Sequence, residues 1–380
     1  MRVFRAVGVL AMLIVSCIER PGLAVQGEPA GLAAQNSTTT DPGLPAPPRS
    51  SLFQAPGGGS ILFLTGHGLG VLGPDGLVTK LGDWELADAF WDPLHSGHIL
   101  VNPYTDGAPH VREFRRAGSK WKEVGRWPSG YGQLFEVSLD GRWVAYKVFV
   151  NGKETSTVRV AGRGGTVADL VNKHLEVVSW TPSGRVVLSG WGPRQLRVWN
   201  PFDGTVDLLE PNWGLDSRLP ANSREPNLDL FEMSWSADGR YFVAPAHWNV
   251  GTDARTGVAI GSASRGVFKV IPDGRADTIP TWSPSGASVA YVSSSGHGNG
   301  SASLHVHDVS TGRDTLVKRH VPVPWWVAWS PGSDWLLLDD SEHGEWLFVS
   351  RDGRRMVSRP APGSFPRWAT PGVGNHIVVC

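Results

Sequence analysis

The chain has 380 residues, 18% of them charged, with Lys plus Arg and Asp plus Glu balanced at 35 each. Without surplus positive charge there is no counterion-release term to drive nucleic-acid binding, so DNA and RNA are excluded as partners. Gly (47), Pro (29) and Trp (18) are abundant, a mixture that fits many short strands punctuated by tight turns and excludes a helix-rich chain; such all-β chains run well past the usual domain length of roughly 150 residues.

Met1 to Arg5 is a short basic start, followed by an apolar run from Ala6 to Val15. That run falls short of the roughly 20 residues a membrane-spanning helix needs, and it has the tripartite form of a signal peptide, so export is expected. Ile14-Val15-Ser16-Cys17 resembles a bacterial lipobox. The resemblance implies a signal peptide over residues 1–16 and lipid on Cys17, which would hold the protein to a membrane of the cell envelope. The alternative is cleavage after Gly22-Leu23-Ala24, which would release a soluble protein and discard Cys17. Under the lipobox reading Cys380 has no disulfide partner, and the two cysteines offer no metal site.

Residues 17–51 are rich in Pro, Gly, Ala, Gln, Ser and Thr, as in Asn36-Ser37-Thr38-Thr39-Thr40 and Pro45-Ala46-Pro47-Pro48. They lack an apolar period and cannot bury enough surface to offset the entropy of ordering, so a flexible tether is expected. Asn36-Ser37-Thr38 and Asn299-Gly300-Ser301 fit the glycosylation sequon but carry little weight behind a bacterial-looking leader.

From residue 52 onward one phrase repeats. Ser179-Trp180-Thr181-Pro182-Ser183-Gly184-Arg185, Ser234-Trp235-Ser236-Ala237-Asp238-Gly239-Arg240, Thr281-Trp282-Ser283-Pro284-Ser285-Gly286 and Ala328-Trp329-Ser330-Pro331-Gly332 are its clear copies. Fainter ones begin at Phe90-Trp91, Val137-Ser138 and Arg367-Trp368. The period is that of a propeller blade. In the clearest unit, Leu175–Trp180, Arg185–Ser189, Leu196–Trp199 and Thr205–Leu209 read as four strands, separated by Pro/Gly turns that supply preset and positive φ. A lone blade of this kind cannot bury both faces, so neighbours must stack around an axis, and the Trp before each turn should fill the gap between blades with a partner for its Nε1. The Trp-Ser-Pro-Asp-Gly-like phrase resembles the repeats of TolB-like, or WD40-like, β-propellers over residues 52–380. That resemblance implies fold rather than function. The expected fold is all-β: a propeller of about seven four-stranded blades, with both C-terminal strands joining Ser60–Leu81 in one shared blade that closes the ring. Eight blades is the alternative.

Alternating strand direction puts the second-to-third and blade-to-blade connections on one face and the short turns on the other. The longer connections are expected to carry any binding site: Lys147–Ser156, Gly190–Gln195 with Trp191 and Arg194, Glu210–Asp229 with Trp213 and Arg224, His247–Gly257 with His247, Trp248, Asp253 and Arg255, Ser293–Ser303 with His297, and Ser341–Glu345 with Glu345. No catalytic signature names a reaction. Gly68-Leu69-Gly70-Val71-Leu72-Gly73 matches the letters of a dinucleotide fingerprint, but Pro74-Asp75-Gly76 follows where a helix must begin, so a hairpin is expected. His305-Val306-His307 puts two imidazoles on one side of a strand without an evident third metal ligand. Asp339, Asp340 and Glu342 crowd carboxylates near one loop, where solvated acids are the ordinary outcome. No cofactor or metal is expected. The first functional reading is a non-catalytic envelope protein that binds a protein, peptide or glycan on its loop face. The alternative is an extracytoplasmic carbohydrate- or peptide-active enzyme with its site in the propeller channel.

Overall fold

The structure, a computed structural model, describes residues 53–65, 68–82, 87–92, 97–103, 110–118, 120–128, 132–150, 153–172, 175–190, 196–209, 227–228, 233–250, 253–262, 266–272, 280–294, 302–324, 327–340, 342–369 and 376–379. Gln54–Val379 form one compact unit, a propeller of seven antiparallel blades with no helix among the described residues. Blade 1 contains β1 (Ile61–Thr65), β2 (Gly68–Leu72) and β3 (Val78–Gly82). Blade 2 contains β4 (Ala87–Trp91), β5 (His98–Pro103), β6 (His110–Ala117) and β7 (Lys120–Pro128). Blade 3 is β8 (Gly132–Val137), β9 (Trp143–Val150), β10 (Lys153–Gly162) and β11 (Gly165–Val171). Blade 4 is β12 (Leu175–Trp180), β13 (Val186–Gly190), β14 (Leu196–Trp199) and β15 (Val206–Leu209). In blade 5, β16 (Asn227–Leu228) and β17 (Ser234–Trp235) both pair with β18 (Phe242–Val250), followed by β19 (Asp253–Ser262) and β20 (Gly266–Pro272). Blade 6 is β21 (Thr281–Trp282), β22 (Ser288–Ser294), β23 (Ala302–Asp308) and β24 (Asp314–Val321). Blade 7 is β25 (Val327–Trp329), β26 (Trp335–Asp340), β27 (Glu345–Ser350) and β28 (Met356–Pro360). The last two strands are β29 (Ser364–Trp368) and β30 (His376–Val379).

The ring closes differently from the sequence expectation. β29 completes blade 1 through Ile61↔Trp368, while β30 adds a fifth strand to blade 2 through His376↔Phe90. Two blades, not one, therefore hold C-terminal strands. The physical reason is pairing: β4 still has a free edge after β5–β7 have lined up on its other side, and an inner edge left open in a packed ring would strand its backbone N–H and C=O groups.

The repeated Trp is the joint between blades. Trp235 Nε1 donates to Ser179 Oγ at 3.0 Å, Trp282 Nε1 to the Ser234 carbonyl at 3.1 Å, and Trp329 Nε1 to the Thr281 carbonyl at 3.2 Å. Trp180 Nε1 reaches the Glu136 carbonyl at 3.0 Å and Trp91 Nε1 the Arg367 carbonyl at 3.2 Å. Each acceptor is the residue just before the anchor of the preceding blade, so one bond per interface fixes the register of neighbour on neighbour. Burying a Trp removes roughly 150–250 Å² from water, about 4–6 kcal/mol at 25 cal/mol per Å² before entropy is subtracted. Two interfaces depart from the rule. Between blades 7 and 1 the chain of residues 53–60 intervenes, and Trp368 Nε1 donates to the Gly58 carbonyl at 2.9 Å while Ala369 N bonds the Ser60 carbonyl at 2.8 Å. Gly57, at φ 88°, lets that chain lie on blade 7, since a Cβ there would come within 2.8 Å of Ser330 Cβ. Between blades 2 and 3 the anchor is Val137, which has no donor, and the interface is filled by Trp127 packed with Phe90, Val111, Val137 and Tyr146.

Candidate functional site

The Ser-x-Asp-Gly-Arg part of the phrase is a turn clamp. In Ser236–Tyr241, Ser236 Oγ donates to Asp238 Oδ1 at 2.7 Å, the Arg240 N–H donates to the same oxygen at 3.1 Å, and the Tyr241 N–H returns to Ser236 Oγ at 3.1 Å. Ser138–Trp143 and Ser350–Arg355 repeat the bonds. The motif that first draws the eye is thus architecture: a carboxylate spent on its own turn.

Three turns meet between blades 6 and 7, on the face of the short turns: the Ser350–Arg355 clamp, its variant at Ser330–Trp335, and a turn in which Asp308 itself accepts from Ser310 and Thr311. They border an open cavity of about 690 Å³. Asp308, Asp334 and Asp352 line it together with Arg313, Arg351 and Arg355. The acids are occupied. Hydrogen bonds from the Ser310 hydroxyl and the Thr311 N–H push the Asp308 carboxyl down to about 2; Ser350 and the Arg354 N–H lower Asp352; Asp334 accepts from Ser330 Oγ at 2.8 Å. The guanidiniums are differently placed. Arg351 Nη2 donates to Ser288 Oγ at 2.9 Å, and Arg355 lies 4.8 Å from the Trp335 ring centre. None of the three is in an ion pair among the described residues.

A second polar group lies on the face of blade 6 that packs on blade 5. Asp314 is its hub. Tyr291 Oη donates to Asp314 Oδ2 at 2.5 Å, and His305 Nδ1 is 3.0 Å from Oδ1. Burial alone would raise the Asp314 carboxyl, but hydrogen bonds from His305 and Tyr291, with His307 Nδ1 3.6 Å away, hold it well below the usual carboxylate range. A carboxylate only accepts, so His305 Nδ1 donates to it, and Nε2, at the far side of the ring, lies 3.2 Å from Ser293 Oγ. His305 stacks on Tyr291 with centroids 5.1 Å apart. His307, 1% exposed, receives Lys269 Nζ of blade 5 on Nε2 at 2.8 Å. The two histidines therefore face one carboxylate, and no metal-holding group of three or more His, Cys, Asp or Glu occurs among the described residues.

Of the residues singled out in the sequence, Cys17, Trp191, Arg194, Trp213, Arg224 and His297 lie outside the described residues. His247, Trp248, Asp253 and Arg255 stand on the arms of the β18–β19 hairpin, where Trp248 pairs with Arg255 and Val250 with Asp253. Lys147–Ser156 and His247–Gly257 were expected as irregular loops, yet both are mostly strand, with only 151–152 and 251–252 between their arms. Asn151-Gly152 is a strong two-residue hairpin signal that composition alone obscured. Glu345 begins β27 and accepts a hydrogen bond from Ser358 Oγ of β28. Asp340 is tied to His343, whose Nδ1 lies 2.9 Å away. The 68–73 glycine run is in a hairpin, β2 pairing with β3. Arg313, Arg351, Arg355, Ser293 and Asp314 went unnoticed because turn repeats and alternating strands explain them without function.

No protein-family model matches the chain, and no curated protein matches it either. Solved structures do. An oligogalacturonate lyase in complex with manganese is 13% identical, covering 74% of this chain and 81% of that one at a TM-score of 0.52. A functionally unknown protein from Desulfotomaculum acetoxidans is 11% identical, covering 84% of this chain and 98% of that one at 0.51. TolB from Acinetobacter baumannii is 14% identical, covering 82% of this chain and 67% of that one at 0.45. At such identities the likeness is one of fold alone, and the assignment as a propeller rests on the seven blades themselves.

Proposed function

We propose that this is an exported, envelope-held binding or scaffold protein, tethered by lipid on Cys17, whose propeller holds a protein, peptide or glycan bearing carboxylates. The observation that carries the reading is the cavity between blades 6 and 7, where Arg313, Arg351 and Arg355 make no ion pair among the described residues, Arg355 sharing only the longer-range field of Asp352, while the neighbouring acids are locked in turns. Guanidinium is the side chain best matched to a carboxylate, which it can grip with two parallel N–H bonds.

Calorimetric titration of the full chain with an oligoglutamate peptide and with a uronate oligosaccharide tests the site. At least one should bind, and Arg313→Ala with Arg355→Ala should weaken it by about tenfold or more, the range expected for lost charge-assisted bonds. Affinity unchanged in the double variant would remove the cavity from the account. For the tether, Cys17→Ser should move the protein from the membrane fraction to the soluble one; continued sedimentation with membranes would retire the lipid anchor.

A further inference from the structure

We propose that Ser293, His305 and Asp314 form a nucleophile–base–orienter triad able to transfer a short acyl group, such as acetyl, from an ester to water. This activity is separate from the binding cavity, which lies on the opposite face of the same blade.

The three residues come from three successive strands, β22, β23 and β24, and run diagonally across one sheet face. Both contacts the chemistry needs are present: Ser293 Oγ to His305 Nε2 at 3.2 Å, and His305 Nδ1 to Asp314 Oδ1 at 3.0 Å. These fall at the reach expected of an activated hydroxyl and its oriented base. Chain order is no objection, because the same constellation arises in several orders on unrelated folds and is recognised by geometry and roles. The imidazole is held in plane by its stack on Tyr291, at 17°, and Tyr291 also fixes the carboxylate from its other oxygen.

Access is also graded. Side-chain exposure is 32% at Asp314 and 20% at His305, while Ser293 is 8% exposed, so the hydroxyl is the least exposed of the three, which favours a small acyl group over a bulky one. Ser293 is opposed in register by Ser303, and Ser303 by Arg319. Opposed residues share a face, which puts Ser303 and Arg319 in one row with the nucleophile, the donors that would have to reach a developing oxyanion.

The step balances without a cofactor. Ser293 Oγ adds to the ester carbonyl carbon as its proton passes to His305 Nε2, and Asp314 stabilises the imidazolium. The tetrahedral intermediate collapses, the C–O bond to the alcohol breaks, and the alcohol leaves with the proton from His305. Water then attacks the acyl-serine with His305 as base, releasing the carboxylic acid and restoring Ser293.

The test is to treat the folded full chain with a fluorophosphonate probe, map the adduct by mass spectrometry, and follow p-nitrophenyl acetate hydrolysis. The adduct is expected on Ser293. Ser293→Ala should abolish it and lower the hydrolysis rate by roughly 100-fold or more, and His305→Gln likewise, with the melting temperature retained. No adduct at Ser293 in the folded parent, a measurement that needs no variant, overturns the proposal. Hydrolysis by Ser293→Ala at the parental rate overturns it as well. Loss of carboxylate binding at the cavity would leave both readouts untouched.

Discussion

At the scale of single residues the turn after the first strand of a blade makes a demand on φ that four blades meet with glycine and one does not. Gly141, Gly184, Gly239 and Gly286 hold φ of 62°, 77°, 65° and 70° at the last turn position. In blade 7 the order is Ser330-Pro331-Gly332-Ser333-Asp334, so the glycine falls one place early and Ser333 takes φ 60°. The Ser333 N–H still closes the turn on the Ser330 carbonyl at 2.9 Å. A left-handed conformation costs an L-residue roughly 1–2 kcal/mol, and glycine gives back about 0.5–1 of that through its looser unfolded chain. Ser333→Gly should therefore stabilise by about 0.5–1 kcal/mol in a denaturant titration. Lower stability would mean that the Ser333 side chain, which lines the cavity, is held there by contacts worth more than the strain. The same comparison shows why the phrase was legible as fold: its Ser, Asp and Gly each have a local bond or φ to satisfy, and local demands leave a local pattern.

Between elements, legibility depends on whether an interface is made by the repeat or by something outside it. The Trp joints could be anticipated from Trp180, Trp235, Trp282 and Trp329 because a buried indole needs an acceptor, and the neighbouring blade is what covers it. The joint between blades 2 and 3 could not. There Val137 stands in the anchor position, and Glu113 of β6, 5% exposed, serves as the clasp. It accepts from Arg163 Nη2 at 2.7 Å, from Trp127 Nε1 at 3.3 Å, and lies 2.9 Å from His98 Nδ1. Nothing local to Val137 announces a compensation assembled from β5, β6, β7 and the β10–β11 turn. Burial works to raise the Glu113 carboxyl, but His98, Trp127 and Arg163 outweigh it and bring it below the ordinary 4.5. A carboxyl lowered on folding contributes fully above its unfolded value and loses that contribution as pH falls through the folded one. Glu113→Gln should thus cost about 2–4 kcal/mol near neutrality. The gap to the parent should narrow as urea titrations are taken down from pH 7 to about pH 3.5. A gap constant across that range would mean that the clasp holds by shape and not by charge.

For the whole molecule, the seven-blade ring was foreseeable from one repeated phrase, while its closure and its chemistry were not. A repeat says that each unit needs a neighbour, but the first and last units must find each other through segments that resemble nothing else in the chain, here residues 53–60, β29 and β30. The loop-face candidates were chosen for being irregular. The groups that the structure brings together, Ser293 with His305 and Asp314, or Arg313 with Arg351 and Arg355, come from strands and turns whose regularity hides them. Closure can be probed by two truncations. Ending the chain after Ala369 removes β30 but keeps Trp368 on Gly58 and Trp91 on Arg367, so every Trp joint survives. That form should lose a few kcal/mol and still unfold in one sharp transition. Ending it after Pro360 also removes β29, and with it both the Trp368 donor and the Arg367 acceptor. Blade 1 is then three strands with an open inner edge, and the ring has no joint on either side of it. Unfolding should broaden, with a lower denaturant slope, and limited proteolysis should cut first within Ile61–Gly82. If the shorter form unfolds with the same midpoint and slope as the longer one, closure is not carried by β29, and blades 2 to 7 hold the ring by themselves.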